Sequence, residues 1–584
     1  MMPIPQLTLE NYEREYCDRH LLHQVVAKWA REKPDAPAMM VAGTSLALTW
    51  RQFERGSAAV ALELLRMGFR RGDFLAMLLP LLAGQVVLEY ACFQIGVIVA
   101  PLDLRLPPAE VVRALEQLRP RGFVCQGVLP PLDFRKLWTT VIERCPWIEH
   151  RLVFASEEDI PGTKSIAELT ERIHPSEPND APASIALAEA TAAVTENDGA
   201  LVIFTTGSTG PSKPALLSHR NITCQNMCLG AAFFGEDRGR RTLVNLPGSH
   251  VGGQCELLMT TFFGGGTAVL LDAFDPVRSL RAIERHRVEL LGQIPAMFNF
   301  EWRLKDYERY DLSSLKFAAY GGHSVARAFV DKLATMAPVV GTGLGLTEAA
   351  GFCTYVMTGA AGREAIVNGV GRDMPVYPCT IHQPMREDGA AGESLPPGET
   401  GHVCFRGPQT FLGYVNDPEA TARTISRDGY LYTGDLGYMD DAGLHLTARA
   451  KWVIKTSGYQ VFPGAIEEHI CSLADKVASC AVVGVEHAVL GEAVVAVVER
   501  KPDADLGPLE LDRHARSLAP YMRPRHWIVL APGQMPLNRV IKPDYLQVQA
   551  MARAAIEELR SRGKWDKQVQ STSPSRLGRP PERE

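Results

Sequence analysis

No Cys-x-x-Cys pair occurs in this sequence, although twelve cysteines are spread along its 584 residues. No histidine cluster has zinc-ligand spacing either, which excludes the common structural zinc sites. Cys224 and Cys228 stand four apart, on one face if helical, but two thiols do not define a metal site. Scattered cysteines of this kind read as reduced, mostly buried thiols of a cytoplasmic protein. Charge of one sign is also lacking: the net charge of −6 excludes a global basic field for nucleic acid. The N-terminus, MMPIPQLTLENYEREYCDRH, is too polar and acidic for a signal peptide. The most apolar stretch, from Phe74 to Leu102, is interrupted by Pro80, Gly84, Gln85, Glu89 and Gln94, which excludes a membrane-spanning helix. No solenoid period is present. The G-x-x-x-x-G-K-[ST] pattern is absent, which excludes a Walker A loop.

The composition is otherwise ordinary for a globular protein, 46% hydrophobic and 22% charged, in a chain long enough for more than one domain. The interrupted apolar stretch reads as strand (Phe74–Leu79), helix (Gly84–Ile95) and strand (Val97–Ala100). Continuous apolar strands around a helix imply a parallel sheet covered on both faces. Leu46 to Phe53 reads as a strand entering a helix. Ala58–Met67 and Val111–Leu118 are amphipathic helices, and Gly122–Cys125 is a strand. Residues 156–199 form a surface excursion with little strand character. Alternation resumes from Leu243 to Val288. Between 366 and 448 the turn dipeptides Asp388-Gly389, Pro397-Gly398, Asp428-Gly429 and Ala442-Gly443 separate short strands, the pattern of a small β-rich subdomain. Beyond Trp452 the pattern is α+β: helix Gly464–Leu473, strands Val477–Val485 and Ala493–Glu499, helix Leu509–Ser517. The charged Pro/Ser/Arg-rich tail from Ser561 is expected to be disordered. The fold class expected is α/β: a large N-terminal domain (1–450) of parallel-type sheets covered by helices, including the β-rich subdomain, then a small α+β domain (451–560) and the tail (561–584).

The most informative segment is Phe204 to His219, FTTGSTGPSKPALLSH. It gathers two glycines, three threonines, three serines and Lys213 behind the apolar run Ala200–Phe204. A strand feeding such a loop suits a polyphosphate: glycines let backbone N–H groups approach the anion, hydroxyls donate, and the lysine supplies charge. A plain Ser/Gly loop has the same composition, so the choice between the two rests on the motifs downstream.

Several further signals come in one order: Pro247-Gly-Ser-His250-Val-Gly-Gly253, Tyr320-Gly-Gly-His323, Gly343-Leu-Gly-Leu-Thr347-Glu348, Tyr432-Thr-Gly-Asp435, then Arg449-Ala-Lys451 through Ser457-Gly458-Tyr459-Gln460 to Pro463, and Pro536-Leu-Asn-Arg-Val-Ile-Lys542. This order, over roughly residues 20–550, resembles the adenylate-forming superfamily of AMP-binding enzymes: acyl- and aryl-CoA synthetases, peptide-synthetase adenylation domains and beetle luciferases. The resemblance implies that a carboxylate attacks the α-phosphate of ATP, expelling pyrophosphate, and that a thiol then attacks the acyl-adenylate. Both steps concentrate negative charge, so positioned donors, cations and Mg²⁺ carry the catalysis.

By the same resemblance Thr205, Thr206, Gly207, Ser208, Thr209 and Lys213 hold the β- and γ-phosphates. Thr347 contacts the α-phosphate, and Glu348, also readable as a helix N-terminal acid, coordinates Mg²⁺. Gly321, Gly322, His323, Leu344 and Gly345 line the adenine site. Asp435, in a Thr-Gly-Asp that alone is ordinary turn chemistry, accepts the ribose hydroxyls. Arg449 binds ribose or phosphate. His250, Gly252, Gly253 and Gln254 shape the acyl pocket. Lys542 bridges the carboxylate and the α-phosphate. Lys451 is the hinge of a mobile C-terminal domain that brings Ser457, Gly458 and Tyr459 to the thiol. Two positions depart from the family. Leu344 replaces a Tyr that stacks on adenine, a loss for which Leu344 packing or Tyr320 would substitute, and Ile541 replaces a Gly.

The function implied is an ATP-, Mg²⁺- and CoA-dependent ligase of a small-molecule carboxylic acid, fatty or aromatic, in the cytoplasm, with no nucleic-acid partner and no membrane span. A chain ending shortly after Lys542 with no fused carrier domain favours free CoA as acceptor. The alternatives are loading of a separate acyl carrier protein, a luciferase-type oxygenation, or a non-catalytic nucleotide- or acyl-binding homologue.

Overall fold

A computed structural model describes residues 7–129, 132–154, 160–166, 185–205, 212–234, 239–322, 325–359, 362–456, 459–538 and 542–566. These form two compact units, one up to Leu446 and one from Thr447.

Two large sheets organise the first unit. In the eight-stranded one, Gly199–Phe204, Ile98–Pro101, Phe74–Leu78, Gly122–Cys125, His150–Val153 and Lys164–Ser165 run in parallel. The strands Pro214–Ser218 and Gly413–Tyr414 extend this sheet in antiparallel pairings. Phe74–Leu78 is buried at all but its first residue, as covered parallel strands require. The helix behind it, Ala83–Gln94, is buried all round, including Gln85 and Glu89. The polar residues Gln85 and Glu89 that interrupt the apolar stretch are therefore core residues, and they bond to each other (2.8 Å). Among the described residues no helix is long and apolar enough to cross a membrane.

The nine-stranded sheet is parallel from Pro37–Val41 through Thr267–Leu270, Arg241–Val244, Leu290–Gln293 and Phe317–Tyr320 to Val339–Thr342. Antiparallel strands close both edges. The helix entered within Leu46–Phe53 and the helix expected at Ala58–Met67 are one helix, Trp50–Arg66, which Thr49 caps by accepting the Gln52 N–H. The excursion at 156–199 contains the helix Ile185–Ala192 and the two-residue strand Lys164–Ser165. The β-rich stretch holds the antiparallel strands Cys379–His382, Gly401–Phe405 and Leu431–Asp440, with Gly443–Arg449 next in order. Gly413–Tyr414, within the same stretch, instead joins the eight-stranded sheet.

The second unit is an α+β layer structure around the antiparallel pair Val477–His487 and Gly491–Arg500. Alternate residues of Val477–His487 face opposite sides. Cys480 and Val482 pack with the helix Pro463–Cys471, whereas Ala481, Val483 and Val485 pack with the helix Tyr545–Ser561. The described residues run on to Asp566, into the stretch expected as tail. Trp565 is buried, its indole N–H donating to the Glu486 carbonyl (2.9 Å), because the end of the last helix needs an apolar cover. Residues 567–584 lie outside the described residues.

Candidate active site

Parallel strands place their carboxyl ends along one edge, which is where open α/β sheets build sites. In the nine-stranded sheet that edge carries the segments after Val244, Gln293, Tyr320 and Thr342. They include Pro247–His250, Gly321–Gly322 and Gly343–Leu344.

The phosphate-loop candidate is closed at its base. The Thr205 N–H donates to the Lys213 carbonyl (2.9 Å), the Lys213 N–H to Thr205 Oγ1 (3.1 Å), and the Ser212 hydroxyl to the Thr205 carbonyl. Thr206, Gly207, Ser208 and Thr209 lie outside the described residues. The Lys213 ammonium stands 4.8 Å from the centre of the Tyr414 ring, a cation–π distance. The Tyr414 hydroxyl donates to Glu348 Oε1 (2.6 Å), and the Phe411 N–H to the Glu348 carbonyl (2.9 Å). Burial, with the Glu348 carboxylate beside it, holds the Tyr414 hydroxyl protonated. One chain of contacts thus joins Lys213, Tyr414 and Glu348. Sequence reasoning missed Tyr414. Its only local signal is the Gly413-Tyr414 step before Asn416-Asp417-Pro418, which reads as a turn.

Thr347 and Glu348 occupy a single 3₁₀ turn ended by Ala350 in the left-handed region (φ 57°). Leu344 is buried; its N–H donates to Thr354 Oγ1 (3.0 Å). Tyr320 does not substitute for the missing adenine-stacking ring. It is 3% exposed and its ring packs edge-on against Phe329 in the core. The aromatic side chain near the glycines is Phe352: a Cβ on Gly321 would meet its ring at 3.4 Å, and one on Gly343 at 3.0 Å. His323 lies outside the described residues.

His250 leads into an eight-residue π-helix, Gly252–Met259, where sequence periodicity suggests only alternating strand and helix. The widened turn shows in the Thr260 N–H, which reaches the Cys255 carbonyl five residues back. The two glycines do not leave ligand space. A Cβ on Gly253 would lie 2.4 Å from the Pro247 carbonyl oxygen, and one on Gly252 3.2 Å from His250 Nδ1. Gly253 permits close backbone packing, and the Gly252 N–H donates to His250 Nδ1 (3.0 Å). Gln254 is fully buried and donates to Glu89 Oε2 (2.6 Å), while Gln85 donates to Glu89 Oε1 (2.8 Å). It is therefore committed to a core carboxyl group, not to a substrate substituent.

Burial pushes Glu89 up to about 7. The folded pKa exceeds the ordinary 4.5, so the associated stability is complete below pH 4.5 and is lost as pH rises through 7. At 1.36 kcal/mol per pKa unit the full loss is about 3 kcal/mol. Gln85 Oε1 and Gln254 Oε1 have no hydrogen-bond partner, so an amide at position 89 finds an acceptor. Glu89→Gln is therefore expected to gain on wild type by about 3 kcal/mol between pH 5 and 8. Thermal unfolding of both proteins across that range measures it; parallel profiles would refute the assignment.

Asp435 does not sit in a tight turn. It lies inside the strand Leu431–Asp440, where the register against Gly401–Phe405 shifts between His402 and Cys404. Such a bulge re-aims a side chain. Asp435 is buried, and its N–H donates to Thr433 Oγ1 (3.1 Å).

In the second unit, Lys451 is exposed in the single turn Ala450–Trp452, and Arg449 before it is also exposed. Tyr459 stacks on Tyr521, centroids 4.4 Å apart; Ser457 and Gly458 lie outside the described residues. Lys542 closes a loop by reciprocal bonds: the Asn538 N–H donates to the Lys542 carbonyl (2.7 Å) and the Lys542 N–H to Asn538 Oδ1 (3.1 Å). Ile541 lies outside the described residues.

Among the described residues no group of three or more His, Cys, Asp or Glu could hold a metal alone. A single carboxylate such as Glu348 nevertheless fits Mg²⁺, which keeps water and takes phosphate oxygens as its remaining ligands.

Residues 26–415 match the family model of the AMP-binding enzyme, and residues 465–542 that of the AMP-binding enzyme C-terminal domain. The chain is 32% identical over 546 residues to a 4-coumarate–CoA ligase-like protein of Oryza sativa subsp. japonica, covering 88% of this chain and 84% of the relative. It is 27% identical to a long-chain-fatty-acid–CoA ligase of Bacillus subtilis (strain 168), covering 90% and 91%. The fold matches ATP-bound MatB from Rhodopseudomonas palustris with a TM-score of 0.75 at 22% identity, covering 92% of this chain and 99% of that one.

Proposed function

The chain belongs to the AMP-binding enzyme family, and on that premise we propose that it is an ATP-dependent carboxylic acid:CoA ligase working through an acyl-adenylate. The similar CoA ligases support the reaction class. The observation that carries the reading to residues is the Lys213–Tyr414–Glu348 chain, which links a phosphate-loop cation to a metal-binding carboxylate.

In the first half-reaction a carboxylate oxygen attacks the α-phosphorus and pyrophosphate leaves. Thr205 and Lys213, with the loop residues Thr206 to Thr209, take the β- and γ-phosphates by hydrogen bonds and charge. Glu348 would hold Mg²⁺, which when bound would supply charge neutralisation at the phosphates. Thr347 donates to the α-phosphate, Asp435 accepts the ribose hydroxyls, Arg449 pairs with ribose or phosphate, and Leu344 packs on the base. Lys542 supplies the cation between carboxylate and α-phosphate. In the second half-reaction the CoA sulfur attacks the acyl carbonyl and AMP leaves. Lys451 serves as hinge, Ser457, Gly458 and Tyr459 serve the thiol, and His250 serves the acyl side. Residues 1–450 and 451–560 would be the two moving domains, acting in the cytoplasm.

Carboxylate-dependent exchange of labelled pyrophosphate into ATP tests the first half-reaction. Exchange with at least one member of a broad acid panel, and AMP release stimulated by CoA alone, is the expected result. No exchange with any acid would sink the ligase reading, and exchange without CoA stimulation would shift the acceptor to a carrier protein.

A further inference from the structure

Three segments of the second unit carry proposed roles and lie apart in sequence: Arg449 to Lys451, Ser457 to Tyr459, and the loop that closes at Lys542. Residues close behind each of them meet at one tyrosine. Trp452 comes directly after Lys451 and is buried, its ring centred 5.5 Å from that of Tyr545. Glu467 stands in the helix Pro463–Cys471, which opens soon after Tyr459, and its Oε1 accepts the Tyr545 hydroxyl (2.6 Å). Tyr545 is the first residue of the helix Tyr545–Ser561 and follows Lys542 after only Pro543 and Asp544.

That short span transmits position. Pro543 has a fixed φ and pairs with Leu537 in a single antiparallel bridge. The Asp544 N–H donates to the Pro536 carbonyl (2.8 Å), while its carboxylate caps the helix by accepting the Leu546 and Gln547 N–H groups (3.1 and 3.2 Å). A shift of Tyr545 therefore moves the Lys542 backbone. The far side of the contact is fixed to the sheet: Glu467 Oε1 also accepts the Val482 N–H (2.8 Å) of the strand Val477–His487. Burial pushes the Glu467 carboxyl up to about 7. Burial, with that carboxyl beside it, also raises the Tyr545 hydroxyl, so the tyrosine is the donor. A buried carboxyl–phenol pair costs desolvation that an apolar pair would avoid. What it adds is direction, since a hydrogen bond weakens steeply off its axis.

We propose that Tyr545 is a positioning residue for Lys542: its hydroxyl, held by Glu467, and its ring, against Trp452, set the reach of the ammonium group from a frame shared with the hinge and the thiol segment. The proposal rests on the ligase reading and adds to it a residue that acts through the lysine.

Tyr545→Phe keeps the ring and removes the hydroxyl. Its maximal rate of pyrophosphate exchange is expected to fall about 10-fold, with KM for ATP and for the acid within about twofold of wild type, because a misplaced reacting group loses rate before it loses binding. The deciding measurement is a double-mutant cycle with Lys542→Ala. A hydroxyl that acts through the lysine changes the residual exchange of Lys542→Ala by less than about twofold, whereas a merely structural role lowers it by the same factor as in wild type. Glu467→Gln keeps an acceptor for Tyr545 and should stay within about threefold of wild type. Glu467→Leu removes the acceptor and should repeat both the loss and the coupling. Should Tyr545→Phe fail to fold, the Glu467→Leu cycle decides. Equal factors in both backgrounds, rates of Tyr545→Phe and Glu467→Leu within about twofold of wild type, or exchange indifferent to Lys542→Ala overturn the proposal while leaving the reaction class intact. No exchange by wild type with any acid overturns both.

Discussion

Lys542→Ala is expected to lower carboxylate-dependent pyrophosphate exchange by about 10²- to 10³-fold, the usual effect of removing one preorganised electrostatic group from a transition state. The expectation is sharp because of how the loop is held. Two of the bonds that close it run from or to the Lys542 backbone, N–H and carbonyl, with Asn538 as partner. Truncating the side chain leaves these two backbone bonds in place. Lys542→Arg keeps the charge but spreads it over a planar fork, and should recover only part of the rate. Exchange by the alanine variant within about threefold of wild type would remove Lys542 from the chemistry, because no electrostatic role of this size leaves so small a trace.

Glu348→Gln should cost a similar factor, about 10²-fold or more, because an amide oxygen binds Mg²⁺ more weakly than a carboxylate oxygen. The loss should shrink as Mg²⁺ is raised, which a purely structural role for Glu348 would not produce. Tyr414→Phe provides the graded comparison. It deletes the hydroxyl that donates to Glu348 Oε1 and keeps the ring beneath the Lys213 ammonium. Loss of one hydrogen bond to a charged group is worth about 1.5–3 kcal/mol, so exchange should fall about 10- to 100-fold. Measuring the apparent Mg²⁺ affinity of all three proteins separates the effects. If Glu348→Gln has no effect on that affinity, the metal assignment is wrong.

The parts of this molecule legible in its sequence are those set by local pattern. Phe74–Leu78 and Gly122–Cys125 show as apolar runs because both faces are covered. The strand Gly199–Phe204 shows for the same reason, and the order of polar motifs marks the candidate site. The features that stayed hidden depend on contacts distant in the chain. Glu89 reads as an interruption of an apolar run, yet its partner Gln254 is 165 positions away. Tyr414 meets Glu348 across 66 positions. Gly252 and Gly253 look like pocket space in sequence, whereas Gly253 packs on backbone. The π-helix also escaped, because one extra residue per turn hardly alters apolar periodicity over eight positions.

The strand Gly413–Tyr414, bonded to Pro214–Ser218, has a consequence for biosynthesis. A nascent chain that has just emitted Lys213 still lacks the tyrosine that its ammonium will cover, and about 200 more residues must leave the ribosome first. At about 5–20 residues per second that delay is about 10–40 s. Throughout it the outer side of Pro214–Ser218 presents unpaired backbone groups, a template for adhesion between chains.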